Sequence, residues 1–205
     1  MSSNLTSFSE NFSRLTGHPK PMRWQERLFD RFEDGAIPQA LDLPTGLGKT
    51  SVIAVWLLAL AWEAERGEVK IPRRLIYVVD RRTVVDQATD VAERLRASLR
   101  SAPAASLTAQ VRDQLNKLCI DPTDDASPLA ISTLRGERAD NREWQSDPGR
   151  PAIIIGTVDM IGSRLLFSGY GVSRRMRPFH AGLLGQDTLL VHDEAHLSEP
   201  FGRLI

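Results

Sequence analysis

Apolar positions in this chain gather into two kinds of run. Five are short and continuous: "ALDL" at 40–43, "RLIYVVD" at 74–80, "LAISTL" at 129–134, "AIIIGT" at 152–157 and "TLLVHD" at 188–193. They lack the alternation of a strand with one wet face, as strands covered on both faces of a parallel sheet do. Between them, residues 50–65, 82–99 and 107–118 carry helical periodicity, and "WQERLFDRFEDG" marks an N-terminal helical piece. The order predicts an open α/β fold, a mainly parallel sheet flanked by helices. An N-terminal helical segment over 1–35 would precede an α/β lobe over 36–205. The Pro- and Asp-rich 121–128 and the polar 136–151 read as surface loops.

Composition narrows the picture. The 205 residues are 41% hydrophobic, enough for a substantial core. Lys plus Arg and Asp plus Glu balance at 26 each, so a nucleic-acid partner would have to be met by a local patch. Cys119 is the single cysteine, which excludes an internal disulfide framework and thiolate zinc clusters and makes a reducing, cytoplasmic compartment the default expectation. The polar N-terminus lacks the order of an export signal. The apolar run "VIAVWLLALAW" at 52–62 is too short to span a bilayer and reads as a buried helix, with Trp56 and Trp62 structural. The chain stops directly after an acidic motif, which leads us to expect a fragment of a longer protein.

Chemistry concentrates in two stretches. In "LPTGLGKT" at 43–50, a glycine-rich turn between a strand candidate and the apolar helix would aim backbone N–H groups and the helix dipole at an anion. Lys49 would neutralise β- and γ-phosphate charge, and the Thr50 hydroxyl would coordinate magnesium. The pattern G-x-x-x-x-G-K-[ST] is broken at its first position by Leu43, while Gly46, Gly48, Lys49 and Thr50 remain. The second stretch, "LLVHDEAH" at 189–196, reads two ways. On a helix, His192 and His196 would share a face and approximate a zinc-peptidase site. On a strand running into a loop, Asp193 would hold magnesium and Glu194 would orient or deprotonate the attacking water. The short aliphatic run, the Gly185 break and Pro200 favour the strand. His192 is then a packed core histidine, and His196 is placed to hydrogen-bond across a cleft.

Together, "PTGLGKT" and "DEAH" resemble the first RecA-like lobe of superfamily 2 helicases, a P-loop NTPase fold, and further segments follow that family's order. "MRWQERLF" resembles its Q motif, which implies Gln25 as adenine reader, with Phe8 where an extra stacking aromatic can occur. "VVDRRTVVDQ" resembles motif Ia, with Arg82 and Gln87 at its basic and amide positions and Asp80 in place of proline. "LRGE" around Gly136 resembles a degenerate motif Ib, and "GTVDMIGSRLLF" the following motif, with Thr157 as phosphate contact. The resemblance implies ATP and Mg2+ as cofactors, held by Thr45, Gly46, Gly48, Lys49, Thr50 and Asp193, with His196 coupling this lobe to a second one. More narrowly, "YVVDRRTVVDQAT", "GTVDMIGSRLLFSGYG" and "LLVHDEAHLSEPF" are similar to the CRISPR-associated helicase-nuclease of type I systems, in particular the I-G (formerly I-U) branch. That likeness implies single-stranded DNA and a CRISPR effector complex as partners.

Residues 163–180, "SRLLFSGYGVSRRMRPFH", interleave Arg164, Arg174, Arg175 and Arg177 with Phe167, Tyr170 and Phe179, a combination suited to a single strand. The competing reading is a solvated basic loop with its aromatics in the core, and for Phe167 in "RLLF" the core is the expectation. The second lobe with its arginine fingers and the family's HD nuclease have no counterpart here, so the chain alone is expected to hydrolyse ATP poorly. A restriction or repair translocase, a non-catalytic nucleotide-binding scaffold and a zinc peptidase are the rival readings.

Overall fold

A computed structural model describes residues 7–121, 127–134 and 142–204. Its centre is a four-stranded, fully parallel sheet: β1 (Arg74–Val79), β2 (Ala130–Leu134), β3 (Ala152–Thr157) and β4 (Thr188–His192), in the order β2-β3-β1-β4. The register pairs Ile76 with Ile154 on one side and with Leu190 on the other. β1 is buried along its whole length, which is why its run is continuously apolar.

Alternation along the strands divides the core. Leu75, Tyr77, Val79, Ile131, Ile153, Ile155 and Leu189 face one way, towards α1 (Phe8–Thr16), α2 (Arg23–Glu33), α3 (Val52–Arg66), α4 (Arg82–Arg100) and α5 (Leu107–Asn116). Ile76, Val78, Ala130, Leu134, Ala152 and Ile154 face the other, towards α6 (Glu143–Ser146), α7 (Val158–Leu165), α8 (Arg177–Gly185) and α9 (Glu199–Gly202). On the first face α3 is apolar around its circumference and lies between α1, α2 and α5. Each aliphatic side chain it buries contributes roughly 1.5–3 kcal/mol. Trp56 is wholly enclosed and donates to Pro72 O at 2.8 Å, and Trp62 donates to Glu33, so both tryptophans are structural as expected. Buried Glu63 accepts from the N–H groups of Lys70 and Ile71 and fixes the turn that feeds β1.

Three expectations are corrected. Residues 40–43 form no strand: Leu41 is 44% exposed, and the segment lies across a cavity from β4 rather than in its ladder. Pro38 and Pro44 flank it without donors, and at the sheet's edge a strand would gain ladder bonds on one side only to offset them. Within 136–151, expected to be loop, residues 143–146 make the single turn α6. Trp144 there is buried edge-on to His180, and Glu143 accepts from Arg96 at 2.7 Å and from Ile131 N. Residues 163–180, for which a basic loop is one expectation, hold the end of α7 and the start of α8. The motif Ib segment around Gly136 lies outside the described residues. Among those described, no helix is long and apolar enough to cross a membrane.

Candidate functional site

The phosphate-loop candidate turns between the extended 36–44 segment and a 3-10 turn, Lys49–Ser51, that leads into α3. Gly46 and Gly48 sit at φ +89° and +63°, in open space. Backbone conformation, not crowding, makes these positions glycine. α2 holds the loop from behind: Trp24 Nε1 donates to Leu47 O at 3.1 Å, and Gln25 Nε2 donates to Ser51 Oγ at 2.6 Å, which in turn donates to Gly48 O. Gln25, the expected adenine reader, is 4% exposed, and its Oε1 accepts from Met22 N at 2.7 Å, so both ends of its amide serve the protein. Phe8, the other adenine candidate, stacks on Phe29 instead. Trp24 carries no motif signal in the sequence, although an indole beside Gln25 needs a partner for its N–H.

The acidic stretch is a strand running into a turn. Period-2 alternation puts Asp193 on the face of Tyr77, Val191 and the phosphate loop, and His192 on the face of α9. Asp193 N donates to Val78 O at 2.9 Å, extending the ladder by one residue. Its two oxygens have different neighbours: Lys49 Nζ stands 4.0 Å from Oδ1, and the Tyr77 hydroxyl donates to Oδ2 at 2.8 Å. Burial first, then the Asp193 charge, push the Tyr77 phenol far above its usual range, with the Thr50 side chain opposing the shift, so it stays protonated. Glu194 then adopts φ +52°, a left-handed conformation uncommon for a residue with a Cβ, and turns the chain into the 3-10 segment Ala195–Leu197. Beyond it, Ser198 donates to Asp80 at 2.8 Å, tying the acidic loop to the end of β1.

His192 packs edge-on against Phe201, with its Nε2 buried and without a hydrogen-bond partner among the described residues. It is packed, as expected, but not fully satisfied. Burial lowers its pKa, while Asp193 and Asp80 oppose the shift. His196 is exposed in the 3-10 segment, so the two histidines share no helix face. Among the described residues no group of three or more His, Cys, Asp or Glu side chains is arranged to hold a metal. The zinc reading is thereby set aside. Magnesium asks for less from the protein, since phosphates and water complete its shell, and the Thr50 hydroxyl and the Asp193 carboxylate are the hard oxygen donors that would hold it.

Thr45, Lys49, Tyr77, Asp193, Glu194 and His196 line one cavity of about 740 Å3, which also runs along residues 37–44. Arg82 is exposed at the start of α4, and Thr157 precedes α7 in register with Val79, so both stand near the sheet's carboxyl edge. Arg174 and Arg175 are exposed between α7 and α8. Arg164 is not available there: it is 4% exposed and donates to Met160 O at 3.0 Å, because its position on α7 faces inward. Phe167, expected in the core, is instead 59% exposed, since a left-handed backbone at φ +59° ends α7 and turns it outward. Tyr170 and Phe179 are exposed as well.

No curated protein and no solved structure matches the chain. The family model described as DEAD/DEAH box helicase matches residues 23–203, from the start of α2 to just beyond α9, and so takes in the phosphate loop, the sheet and the acidic turn together. With its parallel α/β sheet and nucleotide-lobe layout, the chain belongs to the DEAD/DEAH box helicases.

Proposed function

We propose that the chain binds Mg2+·ATP between the phosphate loop and the acidic turn and works as the first motor lobe of a translocase on single-stranded DNA. The observation that carries this reading is the approach of Lys49 to Asp193 across the cavity, which brings the phosphate-binding cation and the metal-binding acid of two distant segments into one site. Thr45, Gly46 and Gly48 cradle the phosphates through backbone N–H groups, and Lys49 swings from Asp193 to the β- and γ-phosphates. Thr50 and Asp193 hold magnesium, which neutralises charge on the transferred phosphoryl group. Glu194 orients the attacking water and takes its proton. Gln25, engaged on both sides of its amide, acts by fixing the loop against α2, and adenine is met beside it.

Arg82, Thr157, Arg174 and Arg175 contact the DNA backbone, with Phe167, Tyr170 and Phe179 offered to bases. A second RecA-like lobe completes the site across His196 and supplies the arginine on which fast hydrolysis depends. Within the family we favour the CRISPR type I helicase-nuclease, on the likeness of the segments around Asp80, Thr157 and Ser198, with target DNA opened by an effector complex as substrate. Calorimetry of ATP with MgCl2 tests the core of the proposal. Wild type and Glu194→Gln should bind and Lys49→Ala should not; a folded wild type that binds no nucleotide overturns it. The narrower assignment is tested by presenting a type I effector on its target DNA, and equal affinity for that complex and for a bare duplex would exclude it.

A further inference from the structure

We propose that Tyr77 is the positioning residue of the magnesium site, holding the Asp193 carboxylate in the orientation that the metal would require. The inference rests on the nucleotide reading above. Tyr77 lies in the middle of β1, where a strand buried on both faces would ordinarily carry an aliphatic residue, and it is 1% exposed. A buried phenol needs a partner, and this one takes its partner from the site: its hydroxyl donates to Asp193 Oδ2 at 2.8 Å. One atom on a buried central strand therefore fixes the residue at the tip of β4, whose other oxygen faces Lys49 of the phosphate loop.

The two oxygens of Asp193 have separate partners. Lys49 faces Oδ1, and Tyr77 holds Oδ2. Were phosphate to draw Lys49 away, Oδ1 would be freed while Oδ2 stayed on the phenol. The carboxylate would keep its orientation, and Asp193 would offer a metal a fixed acceptor in place of a rotor. The ring itself packs among the apolar side chains of the first face, so phenylalanine can keep the packing and lose only the hydroxyl.

The test compares ATP affinity in excess MgCl2 with affinity in EDTA, by calorimetry, for wild type, Tyr77→Phe, Asp193→Asn and the double variant. Tyr77→Phe should weaken binding more in MgCl2 than in EDTA, reducing the gain conferred by magnesium about three- to tenfold, the range carried by one hydrogen bond. In the Asp193→Asn background the same change should have no further effect. An undiminished magnesium gain in Tyr77→Phe, an equal loss with and without the metal, or additive effects in the double variant would each overturn the inference while leaving the nucleotide site in place. Absence of ATP binding by wild type would instead remove the reading on which it rests.

Discussion

On one face of the sheet α3 is enclosed by α1, α2 and α5, and its tryptophans hydrogen-bond within the protein; on the other, α7 and α8 leave Phe167, Tyr170 and Phe179 in solvent beside Arg174 and Arg175. The first face supports the nucleotide site from beneath: Tyr77 rises from it, α2 grips the phosphate loop and α3 starts from that loop. The second presents groups outward. Enclosure on one side and exposed aromatic side chains on the other fit the proposed roles, a site fixed before its ligand arrives and a surface that would meet a flexible polymer.

The largest expected effect tests this contrast directly. Trp56→Ala should cost about 3–5 kcal/mol in urea denaturation, whereas Phe167→Ala should change stability by less than about 0.5 kcal/mol. Comparable losses would mean that the aromatic side chains of the second face support the fold as strongly as those of the first. Next in size, Lys49→Ala should weaken ATP binding by more than about tenfold by calorimetry, as loss of a charge-assisted phosphate contact does, with the melting temperature unchanged. On the other face the arginines should separate by burial. Replacing Arg174 and Arg175 by alanine should flatten the salt dependence of single-stranded DNA binding by about 0.7 per phosphate contact without loss of stability. Arg164→Ala should do the reverse, because its guanidinium is inside.

The smallest effect concerns His192. Its pKa is lowered by burial, so the unfolded chain takes up a proton first, near its ordinary value of about 6.5. The neutral form stabilises the fold above that pH, and the contribution declines as pH falls towards the depressed folded value. Replacement by Gln should flatten the melting temperature against pH in this window; an unchanged slope would place the acid sensitivity elsewhere.

Four strands are legible because a strand covered on both faces has a continuously apolar sequence. Residues 40–43 carry the same composition but lack neighbours, and composition does not report whether a ladder is available. α8 is hidden by its basic start, although Pro178 stands at the N-terminal position where proline initiates helices. The cations and acids of the site are readable from motif spacing. The side chains that aim them are not: Tyr77 reads as core and Trp24 as an amphipathic helix residue, and only their polar atoms, which must find partners once buried, hint at more. Arg164 and Phe167 exchange their expected places because α7 ends between them, turning one inward and the other outward.

Asp193 and Glu194 are adjacent in the chain yet mechanically distinct. The first is anchored by the sheet and a tyrosine, whereas the second, past a left-handed twist, has no side-chain hydrogen bond among the described residues. One acid is thus a fixture of the lobe and the other a hand free to move. If the two acids have the roles proposed above, a rearrangement of the turn would carry Glu194 into or out of range of water while Asp193 stays still, so the clock of hydrolysis would be set without disturbing the grip on the metal.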